Sequence, residues 1–340
     1  MPRRLTNMAI TYRTLFAALA PAIALVLAVA FIPAAKPAAA EEKLDELHLD
    51  YAYYNPVALL LKQKGFLEDA LKSQGTSVKW VLSLGSNKAL EFLNAGSIDF
   101  GSTAGAAALL AKIHGNPIKS IYAYSKPEWT ALVTMPKTGI TKVEELKGKR
   151  IAVTRGTDPH IFLERALADH GLSDKDVNLV LLQHADGKIA LVKGDVDAWA
   201  GLDPMMAAAE LEDGAKLFYR NPDANTWGIL NVRMEFADKH PAVVATVLAA
   251  YEKARTYAIA HPDELKAVLA SEAKVTPEVA ARQLERTVLS HPQINGDEKS
   301  SIEAAGIALQ KSGIIEPDVN VPGTVADLLE SSYTANLKTP

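Results

Sequence analysis

Three dipeptides carry the first chemical signal in this chain: Asn55-Pro56, Asp158-Pro159 and Asp203-Pro204. Asn or Asp before a Pro is a strong helix start, because the side chain caps an open N–H and Pro has none to cap. Each dipeptide follows an apolar, strand-like run. A helix start leaves unpaired N–H groups and the positive end of the helix dipole pointing the same way, which suits an anion. Glycines and hydroxyls gather at comparable places, in Gly85-Ser86, Ser102-Thr103 and Gly156-Thr157. The chemistry they imply is reversible capture of a small anion by neutral donors.

The candidate ligand contacts each have a plainer structural role beside the functional one. Asn55, Ser86, Ser102, Thr103, Gly156 and Thr157 are expected to cap or open helices. Ligand contact in addition is expected most of Ser102, Thr103 and Thr157, because helix starts after a strand lie at the carboxyl edge of the sheet. Asn55 and Asp158 can spend their side chains on the caps themselves. Arg155 can pair with an anion through two N–H groups, or simply be solvated. Asp203 is awkward beside an anion and is read either as a cap or as the partner of a solute ammonium. Of the aromatics near these edges, Tyr53, Tyr54, Trp129, Trp199 and Trp227, the expected apolar walls are Tyr53 and Trp129, with Trp199 a weaker candidate.

Other chemistries lack their residues. The chain has no cysteine, which excludes thiol nucleophiles, thiolate metal sites and disulfides. The eight histidines are scattered without metal-ligand spacing; His160 and His184 fall nearest the expected cleft. No phosphate-cradling loop, dinucleotide fingerprint or Gly-x-Ser-x-Gly elbow is present. No catalytic residue, metal or cofactor is expected.

The elements that position these residues come in one order, twice. A strand at 46–51 leads into a helix at 57–64, a strand at 78–82 into a helix at 87–93, and a strand at 96–101 into a helix at 104–113. Later, a strand at 150–153 leads into a helix at 160–170, and a strand at 178–182 into a helix from about 185. A third strand, at 194–199, leads into a helix at 205–211, and a further strand follows at 216–219. Alternation of this kind predicts two α/β lobes, each a mostly parallel sheet flanked by helices, facing each other across a cleft. Crossings between the lobes are expected at 135–141, after a strand at 130–134, and at 220–226. The chain then returns through a strand at 227–232 and ends in helices at about 240–261, 262–271, 277–290, 299–312 and 324–333.

Three runs resemble a known family: Leu93–Thr103 (LNAGSIDFGST), Leu146–Val153 (LKGKRIAV) and Gly194–Ala200 (GDVDAWA). They look like the periplasmic aliphatic-sulfonate-binding proteins of ABC importers, relatives of the taurine and nitrate binders, and the likeness covers about residues 42–290. The resemblance implies a type II periplasmic binding protein that closes on its solute by a hinge. It also implies an inner-membrane ABC permease as partner, a role in sulfur metabolism and no catalysis. Where the family often has Trp-Asp-Pro, this chain has Leu202-Asp203-Pro204, which alters one pocket wall.

Export fits that resemblance. Arg3, Arg4 and Arg13 precede the apolar stretch 15–33, and Ala38-Ala39-Ala40 stands before Glu41, so a cleavable signal peptide is expected over residues 1–40. The alternative is an uncleaved anchor. The net charge is −4, and the leader holds four basic residues and no acid, so the remainder is at −8. Such a body argues against nucleic acid or an anionic membrane as partner. The expected division is a first lobe from 41–136, a second from 137–222, and a return to the first over 223–340. A monomeric periplasmic receptor for a small organic anion is the leading reading. Nitrate, bicarbonate, taurine or a thiamine-precursor pyrimidine stand as alternative solutes, and a synthase of the pyrimidine precursor stands as an alternative of another class.

Overall fold

Strands joined through helices pair in parallel, and the doubled strand–helix order builds two sheets on that rule. The computed structural model describes residues 43–335; the leader expected over 1–40 lies outside them. The strands are β1 (Glu46–Tyr51), β2 (Ser77–Leu82), β3 (Phe100–Ala104), β4 (Ile118–Pro127), β5 (Leu132–Thr134), β6 (Arg150–Val153), β7 (Asn178–Leu181), β8 (Ala198–Ala200), β9 (Lys216–Tyr219), β10 (Gly228–Arg233) and β11 (Thr287–Val288).

One sheet runs β2-β1-β3-β10-β4-β11 and the other β7-β6-β8-β5-β9. In both, the first three strands are parallel in the same 2-1-3 order. The strand next to them runs antiparallel, β10 in the first sheet and β5 in the second. Each of these enters its sheet from the other one, which is why both sheets are mixed rather than mostly parallel. The chain crosses between sheets at 128–131 and at 220–227. The second crossing contains the expected segment; the first lies earlier than 135–141. Leu132–Thr134 belongs to the second sheet, where Val133 pairs with Trp199 and Leu217, and local sequence does not say which sheet claims a short apolar strand.

Both faces of the sheets are covered, so their inner strands are largely buried and carry long apolar side chains. Leu47, Leu49, Phe100, Tyr122 and Leu230 are fully buried in the first lobe, as are Ile151, Phe162, Leu163 and Trp199 in the second. Ile161 and Leu202 of the second lobe join the apolar cluster of the first, beside Tyr54 and Trp129. Helix Gly296–Lys311 packs on helix Asp158–Asp169. Helix Pro277–Glu285 packs on helix Met205–Glu212, where Arg282 pairs with Glu210 at 2.8 Å. That C-terminal helix ends at Glu285, short of the expected 290, because Thr287–Val288 pairs with β4. Among the described residues, no helix is long and apolar enough to cross a membrane.

Candidate functional site

The carboxyl edge of the first sheet carries a buried polar network. Asn55 caps helix Pro56–Lys64 as expected, its Oδ1 accepting from Ala58 N at 3.1 Å. Its Nδ2 donates to Ser102 Oγ at 2.8 Å, and that hydroxyl donates to Asp50 Oδ1 at 2.9 Å. Ser102 N donates to the same carboxylate oxygen at 2.8 Å, and Tyr54 OH donates to Ser102 O at 2.9 Å. Burial pushes the Asp50 carboxyl up to about 7, against the pull of its Ser102 donors. Ser102 and Thr103 lie inside β3, with the helix starting only at Gly105, so neither is the helix-end residue expected. Thr103 is fully buried, and its Oγ1 accepts from Asn231 Nδ2 at 2.8 Å.

The second lobe presents a helix start to the same seam. Thr157, rather than Asp158, is the cap residue of helix Asp158–Asp169, and its Oγ1 donates back to Thr154 O at 2.6 Å. The Asp158 side chain is thereby free to reach both crossings. It accepts from Trp129 Nε1 at 2.8 Å, from Thr226 N at 3.0 Å and from Thr226 Oγ1 at 2.6 Å. Its pKa is raised by burial, and those same donors oppose the shift. Trp129 meets Tyr54 edge-on, with ring centroids 5.8 Å apart.

Between these two groups lies a cavity lined by Tyr54, Ser86, Trp129, Thr157, Asp158, Pro159 and Leu202. It draws on both lobes and on the first crossing. Its volume is about 10 Å³, barely the space of one water. Ser86 Oγ faces it while accepting from Ala104 N at 3.0 Å. The lobes touch next to it: a Cβ on Gly85 would stand 3.1 Å from His184 Nε2 and 2.7 Å from Asn87 Oδ1. His184 opens helix His184–Lys193, is buried, and keeps its Nδ1 3.2 Å from Thr154 Oγ1. Burial lowers its pKa to about 3, so it is neutral near pH 7.

The other candidates lie apart from that cavity. Arg155 is exposed and, with Gly156, borders a larger groove beside it. Tyr53 packs with the cluster around Leu59, Leu60 and Leu265, and its carbonyl accepts from Gln283 Nε2 at 2.9 Å. Asp203 is buried, with Oδ1 accepting from Ala207 N at 2.9 Å and Oδ2 3.6 Å from Arg286 Nη1. Burial raises its pKa to about 7 although Arg286 lowers it. Its charged neighbours are thus Arg286 and Glu210, which belong to the helix contact between lobes. Trp199 is core: a Cβ on Gly187 would come 2.7 Å from its Nε1. Trp227 packs with Ala123, Ile229 and Ile294.

Sequence reading missed Asp50, Thr226 and the contact of His184 with the first lobe. Asp50 sits in an apolar strand, and that buried acid was the one available signal; the others depend on contacts far apart in the chain. Among the described residues, no group of three or more His, Cys, Asp or Glu side chains is placed to hold a metal ion.

Residues 57–265 match the family described as NMT1/THI5 like. An alkanesulfonate-binding protein from Xanthomonas axonopodis pv. citri, solved with bound MOPS, superimposes with a TM-score of 0.77 at 25% identity, covering 85% of this chain and 99% of that one. The periplasmic aliphatic sulphonate binding protein of Escherichia coli gives a TM-score of 0.70 at 26% identity, covering 82% and 90%. A 4-amino-5-hydroxymethyl-2-methylpyrimidine phosphate synthase of Saccharomyces cerevisiae is 25% identical over 226 residues, 62% of this chain and 64% of that protein.

Proposed function

We propose that this chain, which belongs to the NMT1/THI5-like family, is the extracytoplasmic receptor of an ABC importer and carries an organosulfonate between its lobes. One observation supports this reading above the rest. The interlobe cavity is lined by a helix start in each lobe, at Ser86 and at Thr157, and by the aromatic pair Tyr54 and Trp129. Neutral donors at helix starts suit a strong-acid anion that stays ionised at all working pH values. The aromatic wall suits an apolar substituent. The similarity to two sulfonate-binding proteins over most of the chain points the same way.

A cavity of about 10 Å³ cannot admit a sulfonate as it stands. Entry requires the lobes to part about the crossings at 128–131 and 220–227, which makes the protein a hinged clamp. In this reading the leader is removed on export, the mature protein is a periplasmic monomer, and its protein partner is the permease. The solute passes through unchanged, so no residue has a catalytic role.

Titration calorimetry of the exported chain with alkanesulfonates, taurine, nitrate and a thiamine-precursor pyrimidine tests the proposal. Saturable binding of a sulfonate, at least tenfold tighter than the pyrimidine, is expected. Preference for the pyrimidine would favour either a receptor for that solute or a precursor synthase like the similar yeast enzyme.

A further inference from the structure

The lobes also meet outside the interlobe cavity. Helix Met205–Glu212 of the second lobe lies against helix Pro277–Glu285 of the first. Their shared face is apolar: Ala207, Ala208 and Val279 form a buried cluster of their own, with Val275 packed against it. Charges of both lobes border that cluster. Glu210 accepts from Arg282 Nη1 at 2.8 Å and from Arg286 Nη2, so one carboxylate of the second lobe holds two guanidiniums of the first. Arg286 Nη1 lies 3.6 Å from Asp203 Oδ2, with the two side chains 7% and 1% exposed. At the other end of the contact, Thr276 Oγ1 donates to Glu212 Oε1 at 3.4 Å. None of these side chains lines the cavity or the groove beside it. Both acids stand on the second lobe and both arginines on the first, so parting the lobes separates every pair at once. It also uncovers the apolar cluster, and a buried charge that loses its partner is costly.

We propose that this helix contact is a closure latch, made when the lobes are together and broken when they part, which favours the closed form independently of any solute. The proposal rests on the reading of the two lobes as a hinged clamp. The latch adds the same contribution to closure around every solute, so it tunes affinity for all of them by one factor without touching any.

The chain has no cysteine, so a single pair of spin labels reads the seam. Glu91→Cys and Asp186→Cys place them at exposed positions on the two helices that begin beside Gly85 and at His184, where the lobes touch. In the exported chain carrying that pair, Glu210→Gln removes the anion that the two arginines share, and Ala208→Leu wedges the apolar face. Each is expected to enlarge the long-distance population at least threefold, with circular dichroism checking that both variants fold. Affinity for butanesulfonate and for taurine is expected to fall by the same factor, about three- to tenfold. The distances need no solute, so they judge the latch even where neither sulfonate binds. Distances unchanged in both folded variants overturn the latch and leave the clamp standing. Affinities that fall by different factors for the two solutes place these side chains in the solute site and overturn it as well. One fixed distance in every protein, with and without butanesulfonate, defeats the clamp itself and the latch with it.

Discussion

The indole N–H of Trp129 donates to Asp158 Oδ2 at 2.8 Å, tying the first crossing between the lobes to a helix start of the second lobe. Thr226, from the other crossing, donates to both oxygens of the same carboxylate. One buried side chain thus holds both connections at the point where they pass the cavity. Asp158→Ala would leave three buried donors unpaired. A loss of about 3 kcal/mol or more is expected, at roughly 1 kcal/mol or above for each. Urea unfolding with an unchanged slope measures it. A midpoint within error of the parent would show that the crossings are not held here.

Gly85 separates steric closure from backbone strain. Its φ of 167° is extended backbone that any residue adopts, yet an added methyl would press on His184 across the seam. Gly85→Ala is therefore expected to keep its melting temperature within a few degrees while solute affinity falls about tenfold. Scattering at saturating solute should give a larger radius of gyration than the parent. Undiminished affinity would place closure elsewhere.

His184 makes a pH prediction with a definite sign. Its folded-state pKa is lowered to about 3 by burial, from an ordinary 6.5. Between these values the unfolded chain binds more protons, so this group's contribution to stability is present above pH 6.5 and is lost as pH falls towards 3. Relative to His184→Gln, the parent should lose a few kcal/mol between pH 6.5 and 4, at about 1.4 kcal/mol per pH unit. Asp50 and Asp203, both raised to about 7 by burial, have the opposite slope between pH 4 and 7. The comparison with the variant cancels their contribution. Parallel stability curves for the two proteins would refute the assignment.

Thr103→Val and Ser86→Ala should part company in their effects. Thr103 is buried beside Asn231, so losing its hydroxyl removes an acceptor from the core, at about 1–2 kcal/mol of stability with little change in affinity. Ser86 lines the cavity, and Ser86→Ala is expected to weaken sulfonate binding several-fold. Calorimetry and melting on the same samples decide it, and a Thr103→Val effect confined to affinity would move the site towards β3.

Local sequence determined the elements of this protein and their order. The bounds of β1, β6 and β9 were legible to the residue, because apolar runs ending at glycine, proline or capping residues set strand and helix limits without distant help. The repeated order was legible as well, whereas the shared 2-1-3 winding of the two lobes came only with the structure. Which polar residues line the interlobe cavity was not legible. Asn55 caps its helix as the sequence suggested, but Ser102 is turned to Asp50, Thr103 to Asn231 and Asp203 towards Arg286. A buried donor or acceptor must find a partner, and these partners stand 52, 128 and 83 residues away. The crossing at 128–131 was misplaced for the same kind of reason, since Leu132–Thr134 suits either sheet until its neighbours are known. Tertiary packing chose among polar roles and strand neighbours that local sequence left equivalent.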